Sequence, residues 1–421
     1  MSTEKRAIVI GGGPAGMMAS YIIAQSGVAV TLLEKNRKLG KKMLISGKGR
    51  CNVTNDSDGA AFLEHMPGNG KFLYSAYRGF TAADTMAWFE NRGVPLKTER
   101  GSRVFPVSDR SADIVGCMER ALWEAGAEIR PGRAADGILL NGGRAAGVEV
   151  GGTVLSADAI LVATGGISYP LTGSDGDGYT FAESAGHTVT ELFPSLVPLK
   201  TAESFVAELE GLSLRNVAVT LCYPGEKPAA ERRFGEMVFT ADGVSGPVIL
   251  TLSRRASLWF LEHRAPLELV IDLKPALSEE ELDRRLLREL EANGKKDMRH
   301  VASTLLPRKL IPVFLRRCGL DGGRKGHSVT KAERALMMKT LKAFTLTVRG
   351  RGRVEEAIVT GGGVSVREVD PKTMMSKKAP GLFFAGEVLD IDGYTGGFNI
   401  QAALSTGHQA GKGIVSYCRE E

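Results

Sequence analysis

The chain has 421 residues, enough for two or three domains around a large core, and its 43% hydrophobic and 24% charged content excludes a disordered or fibrous polypeptide. A formal net charge of +6 is modest for this length, so the chain is not built as a polycation. Five cysteines (Cys51, Cys117, Cys222, Cys318 and Cys418) with no C-x-x-C pair exclude a disulfide scaffold and give no zinc signature; reduced thiols, no metal and a cytoplasmic location are expected, in keeping with an N-terminus that carries no signal-peptide pattern.

The first element is the most telling. Residues 7–10 read as a buried strand, Gly11, Gly13 and Gly16 make a G-x-G-x-x-G turn through Pro14 and Ala15, residues 17–25 read as helix, and residues 28–33 as a second strand. Glu34 ends that strand, 18 residues past Gly16. Each part has a physical role in a dinucleotide cradle. Gly11 permits the tight turn, Gly13 lets the backbone approach a pyrophosphate at the helix N-terminus, and Gly16 allows close packing of helix on strand. A carboxylate at Glu34 accepts from a ribose 2′-hydroxyl, which favours FAD or NAD over NADP. Residues 7–33 contain no charged side chain, but their glycines punctuate the run, so no membrane span is expected.

A glycine-containing loop over residues 39–55 follows. It shares a basic run, Lys35, Arg37, Lys38, Lys41, Lys42, Lys48 and Arg50, and a second cluster is Arg349, Arg351 and Arg353. Solvated loops helped by attraction to a cofactor diphosphate are the simpler reading. Aromatic interleaving is absent, so a nucleic-acid partner is not expected, and a flavoprotein that chiefly binds nucleic acid is kept as the alternative.

Thr81 with Asp84 predicts a capping box and a helix to about Asn91, and Ser111 a cap for a helix ending near Gly126. A strand over 127–130, a hairpin of 137–140 with 144–150, and a strand over 159–163 running into Thr164, Gly165 and Gly166 come next. Such a meander suits a flavoprotein better than a simple dehydrogenase.

Segments 217–221, 236–240, 248–252 and 267–273 read as strands of an antiparallel sheet or barrel. Ser278 with Glu281, residues 308–317, and Thr330 with Glu333 predict helices, and residues 344–348 a strand. The expected class is therefore α/β: a Rossmann-like FAD-binding domain in two parts, 1–194 and 356–421. Residues 195–355 form an inserted antiparallel β-barrel-like and helical domain, its helical part over about 278–343. Gly361, Gly362 and Gly363 form no second cradle, because Val366 takes the third glycine position and 364–369 alternates like a strand. NAD(P)H, where used, is expected to dock transiently.

Residues 382–385 read as a strand ending in Gly386 and Glu387, and residues 392–399 open a helix from Ile400. The Glu387 carboxylate suits ribityl hydroxyls. Backbone N–H groups around Gly397, Phe398 and Asn399, at a helix start, suit negative charge at the flavin N1 and O2 edge.

Together these stretches, VIGGGPAGM (9–17), KMLISGKGRCNVTN (42–55), GSRVFPVS (101–108), ATGGISYP (163–170), TGSDGDGY (172–179) and AGEVLDIDGYTGGFN (385–399), closely resemble the two-dinucleotide-fold flavoproteins. Within them the likeness is to the bacterial BaiN-like or aminoacetone-oxidase-like NAD(P)/FAD-dependent oxidoreductases. The resemblance implies FAD as cofactor and a small organic substrate, with reduction of an activated C=C or C=O, or oxidation of an amine. It also implies that Lys35, Lys42, Ser46, Gly47, Arg50, Cys51 and Asn52 lie along the diphosphate and flavin, that Ala134 or Ala135 meets the adenine, and that Thr164, Gly165, Gly166, Asp177 and Gly178 complete the shell. The chain departs from many relatives in having Ala241, not histidine, before Asp242. No residue is singled out as catalytic, and His187 reads as a cap or packing residue.

Overall fold

The computed structural model describes residues 5–227 and 229–420, whose contacts divide into two units, Met1–Ser195 with Val354–Glu421 and Leu196–Arg353. The first unit is organised by a five-stranded parallel sheet. Its strand order is Leu382–Phe384, Ala159–Val162, Arg6–Ile10, Ala29–Glu34, Glu128–Pro131. Val9, Leu32, Leu161 and Phe383 are all fully buried, as expected of parallel strands covered on both faces. The chain leaves Arg6–Ile10 for Ala29–Glu34 on one side and later returns through Ala159–Val162 on the other. That places the topological switch point, and so the ligand crevice of an open α/β sheet, beyond Ile10 and Val162.

Two helices converge on this point. Pro14–Gln25 starts with proline in its first turn, where a missing N–H costs nothing, and Phe398–Glu420 packs across it. The crossing is close because Gly407 has no side chain: a Cβ there would lie 2.3 Å from the Ala15 carbonyl oxygen. Gln401 on the second helix accepts from the hydroxyls of Thr54 and Thr85 and donates to the Phe80 carbonyl. A buried amide so satisfied pins three segments together. The expected meander is present as Gly137–Asn141, Arg144–Val150 and Thr153–Ser156, and the Thr81 and Asp84 capping box opens the helix Ala82–Glu90. Ser111 is not a cap. Arg110 holds that position, and the Ser111 hydroxyl donates to the Leu44 carbonyl instead.

The second unit is built on a closed barrel of six strands: Leu199–Thr201, Gly243–Ser245, Ala230–Phe239, Ser213–Cys222, Leu267–Asp272 and Phe344–Arg351. Val219, Leu221, Leu269, Ile271, Leu346 and Val348 alternate into its core. One expected strand is a helix: residues 248–252 begin Pro247–Glu262. The buried set Val248, Ile249, Leu252, Ser253 and Ala256 has helical spacing, and a run of five residues is too short to distinguish the two periods. Helices Glu279–Ala292 and Lys331–Lys342 carry the capping boxes expected at Ser278 and Thr330, while 308–317 splits into a 3₁₀ turn and the helix Ile311–Arg317. In the first unit, the strand expected over 364–369 is instead a 3₁₀ turn, Val366–Glu368. Among the described residues, no helix is long and apolar enough to cross a membrane.

Candidate functional site

The glycine turn sits at the switch point with the geometry its residues require. Gly11 has φ +108°, its N–H donates to the Leu33 carbonyl at 2.8 Å, and a Cβ on it would lie 2.4 Å from the Ala163 carbonyl oxygen. A Cβ on Gly16 would lie 1.9 Å from the Gly11 carbonyl oxygen, so the third glycine is a matter of packing. Gly13 differs: nothing lies within 4 Å of where its Cβ would point. That open space, at the N-cap of Pro14–Gln25, is where a diphosphate would approach the first N–H groups of the helix.

Glu34 is 9% exposed at the end of its strand. Its Oε2 accepts from the Gly12 N–H at 2.8 Å, and its Oε1 accepts from the Asn36 N–H and side-chain amide at 2.7 and 2.8 Å. Three of about four carboxylate acceptor sites are filled, which leaves room for one ribose hydroxyl. The 132–135 segment lies alongside. Gly132 and Arg133 donate their N–H groups to the Asn36 and Glu34 carbonyls, leading to exposed Ala134 and buried Ala135.

Residues 46–51 form a tight, unusual loop. Gly47, Lys48, Gly49 and Cys51 all have φ between 57° and 82°, and Ser46 donates its hydroxyl to the Met43 carbonyl. Left-handed residues in succession turn backbone N–H groups toward a shared concavity, a shape suited to anions. Cys51 is fully buried, and burial pushes its thiol pKa up to about 12, so it is no nucleophile. Arg50 turns away: its guanidinium lies 4.0 Å over the Phe105 ring and pairs with Glu99 at 2.8 Å and Asp109 at 3.3 Å.

Lys42 joins what the sequence holds far apart. Its ammonium donates to the Ser168 hydroxyl at 2.7 Å and to Glu387 at 2.8 Å, and Ser168 and the Thr360 N–H also donate to Glu387. Lys35 pairs with Asp175 and with Asp177; burial opposes its charge, but these pairs outweigh it and raise its pKa. Gly178 packs under Thr164, a Cβ there lying 2.0 Å from Thr164 Oγ1, and a Cβ on Gly166 would lie 2.4 Å from Thr360 Oγ1. Gly165 has φ +78°.

On the far side, Gly386 has φ +79° and donates its N–H to Thr406 Oγ1 at 3.0 Å. Gly397, with φ +100°, sits so close to Thr54 that a Cβ would lie 2.3 Å from its carbonyl oxygen. Phe398 stacks on His65 with centroids 4.3 Å apart, and Asn399 ties the loop shut by accepting from Gly393 N–H and donating to its carbonyl.

Two buried polar atoms in this neighbourhood, Asn52 Oδ1 and Thr164 Oγ1, have no protein partner. Orphaned atoms of this kind call for a ligand's donors and acceptors. Together with the space at Gly13, they make the donor set and the cradle a fit for a bound dinucleotide. The fold thus gathers Gly11, Gly13, Pro14, Ala15, Gly16, Glu34, Thr164 to Gly166, Gly386 and Gly397 around the switch point. Lys35, Lys42, Arg50, Asp177 and Glu387 all make ion pairs within the protein. Ser168, Thr360 and Asn36 were not foreseen; Ser168 lies within the 163–170 motif, whereas Thr360 carries no sequence signal. His187 is buried, its Nε2 2.7 Å from the Ser376 hydroxyl and its pKa lowered by burial, as befits a packing residue. The described residues hold no cluster able to bind a metal ion.

Residues 5–413 match the family described as the HI0933-like protein Rossmann domain. The chain is 30% identical over 407 residues to a 3-dehydro-bile acid delta(4,6)-reductase of Clostridium scindens, covering 96% of this chain and 97% of that protein. It is 29% identical over 415 residues to a ribosomal RNA dihydrouridine synthase of Haemophilus influenzae, covering 97% and 98%. Among solved structures, the 3-ketosteroid-delta4-(5alpha)-dehydrogenase of Rhodococcus jostii superimposes with a TM-score of 0.52 at 15% identity, covering 99% and 98%, a likeness of fold.

Proposed function

The chain belongs to the HI0933-like family of Rossmann-fold FAD-dependent oxidoreductases, and from that membership we propose that it reduces a carbon–carbon double bond conjugated with a carbonyl. The observation that carries this reading is the near-full-length likeness to two relatives whose names both describe adding hydrogen to an unsaturated ring. A 3-dehydro steroid with 4,6 unsaturation and a uracil ring share one reactive feature, an alkene polarised by a carbonyl. FAD, when bound and reduced by an external two-electron donor, would supply a hydride from N5 to the electron-poor carbon of such a system, a proton completing the saturation.

The residues of this chain would do the rest by position and charge. The N–H groups after Gly13 would hold the diphosphate, and Glu34 the adenosine ribose. Thr164 Oγ1 and Asn52 Oδ1 would satisfy cofactor polar groups and be satisfied by them. The start of Phe398–Glu420, fixed by Gly397, would stabilise negative charge at the pyrimidine edge of the flavin. To test the assignment, the holoenzyme is supplied with a reductant and, in separate reactions, a 3-oxo-4,6-diene steroid, a uridine-containing RNA and a primary amine. The expected result is a product that has gained two hydrogens from an unsaturated substrate, read by mass spectrometry; turnover of the amine alone would contradict it.

Within this class a uridine in RNA is the second reading, favoured by how charge is distributed. Residues 196–353 hold 28 Lys and Arg against 19 Asp and Glu, a formal +9, whereas the remainder of the chain carries −3. Such asymmetry suits a polyanionic partner.

A further inference from the structure

We propose that the ribbon of Ser213–Cys222 and Ala230–Phe239 in the second unit is a docking surface for single-stranded RNA, an inference that rests on the second reading above. In the first basic cluster visible in the sequence, Lys35, Lys42 and Arg50 are committed to carboxylates. The ribbon presents charge differently. Arg232 has a 62% exposed side chain and only a 3.9 Å approach to Asp272, and exposed Arg215 makes no ion pair among the described residues.

Between them stands Phe234, 61% exposed on a strand whose Met237 and Phe239 are buried. An aromatic ring in water on a barrel wall gives up burial that Met237 and Phe239 obtain. Its cross-strand neighbour is Ala218, and Pro275 and Ala276 complete a shallow concavity of about 420 Å³ with Arg232 and Arg233. Small neighbours leave the ring face open. Arg232 and Phe234 are two residues apart, hence on one face of the strand and roughly 7 Å from each other. A base stacked on the ring would then set its phosphate toward guanidinium groups, the combination used to hold single strands. On the other side of Phe234, the register shift between Leu214 and Val217 exposes Arg215 and Asn216.

The experiment is fluorescence anisotropy of a labelled oligouridylate titrated with the FAD-loaded protein at several salt concentrations. We expect log affinity to fall linearly with log salt. F234A should weaken binding about tenfold at fixed salt, as loss of one stacking platform does. R215Q/R232Q should reduce the salt slope by about 1.4, about 0.7 per lost phosphate contact on a single strand. K331Q/K339Q, which removes two exposed lysines on Lys331–Lys342, should change neither quantity. Equal losses in all three variants, or none in F234A and R215Q/R232Q, would overturn the ribbon assignment while RNA binding stood. No binding by the unmodified protein would overturn this proposal and the second reading together. Flavin content and circular dichroism of each variant confirm that the comparison is between folded proteins.

Discussion

At the scale of single residues, Gly13 and Gly16 separate two demands that a glycine motif confounds. A Cβ on Gly13 would have no protein atom within 4 Å, so Gly13→Val should fold with an unchanged circular dichroism spectrum yet lose FAD, because the side chain takes the space a diphosphate needs. Gly16→Val collides with the Gly11 carbonyl and should fail to accumulate as folded protein. Retention of a full flavin complement by Gly13→Val would move the diphosphate elsewhere. His408 supplies a pH signature. Buried, stacked on Phe80 and near Lys412 and Asp84, it has its pKa pushed down to about 4 by burial, from an ordinary 6.5. The folded state thus favours the neutral ring. Its contribution to stability is fully present above about pH 6.5, shrinks as pH falls toward 4, and changes no further below that. Thermal unfolding of wild type and His408→Phe between these limits should show a shallower acid decline in the variant; parallel curves would contradict the assignment.

At the scale of elements, the crossing of Pro14–Gln25 and Phe398–Glu420 holds the cradle in place. Gly407→Val would thrust a branched side chain at the Ala15 backbone and separate the helices. The expected outcome is a loss of stability of about 1–3 kcal/mol from overpacking, together with weaker flavin retention, because Ala15 lies inside the cradle. Denaturant unfolding and flavin release measure the two effects, and unchanged flavin affinity would show that the crossing does not govern the site. Elements with local signals were legible in the sequence: the capping boxes at Thr81, Ser278 and Thr330 form as their residues dictate. The run 248–252 misled because β-branched residues in a short apolar stretch fit either period, and only the longer window to Glu262 shows the helix. Lys42, Ser168, Thr360 and Glu387 were illegible as a group. Lys42 and Glu387 are 345 positions apart, and the strand legible at 382–385 does not say which distant side chains its end will meet.

At the scale of the whole molecule, family and cofactor follow from the N-terminal turn and the 385–399 segment, since both carry backbone requirements that only glycine meets. Substrate does not follow in the same way, because the cradle constrains the cofactor and not what reacts with it. The glycines at 361–363 lead into a 3₁₀ turn and not a second cradle helix. We therefore expect NADPH to bind weakly and reduce the flavin slowly; submicromolar binding by calorimetry with rapid bleaching would sink that expectation. The central claim is the reduction of a conjugated double bond, and it is tested most directly by a single turnover without any nucleotide. The FAD-loaded protein is photoreduced, then mixed anaerobically with a 3-oxo-4,6-diene steroid or an oligouridylate while the flavin band and the product are followed. The account predicts reoxidation in step with saturation of the double bond, one product per flavin. Flavin that stays reduced with both substrates, while the oxidised protein is bleached by an amine, would contradict it.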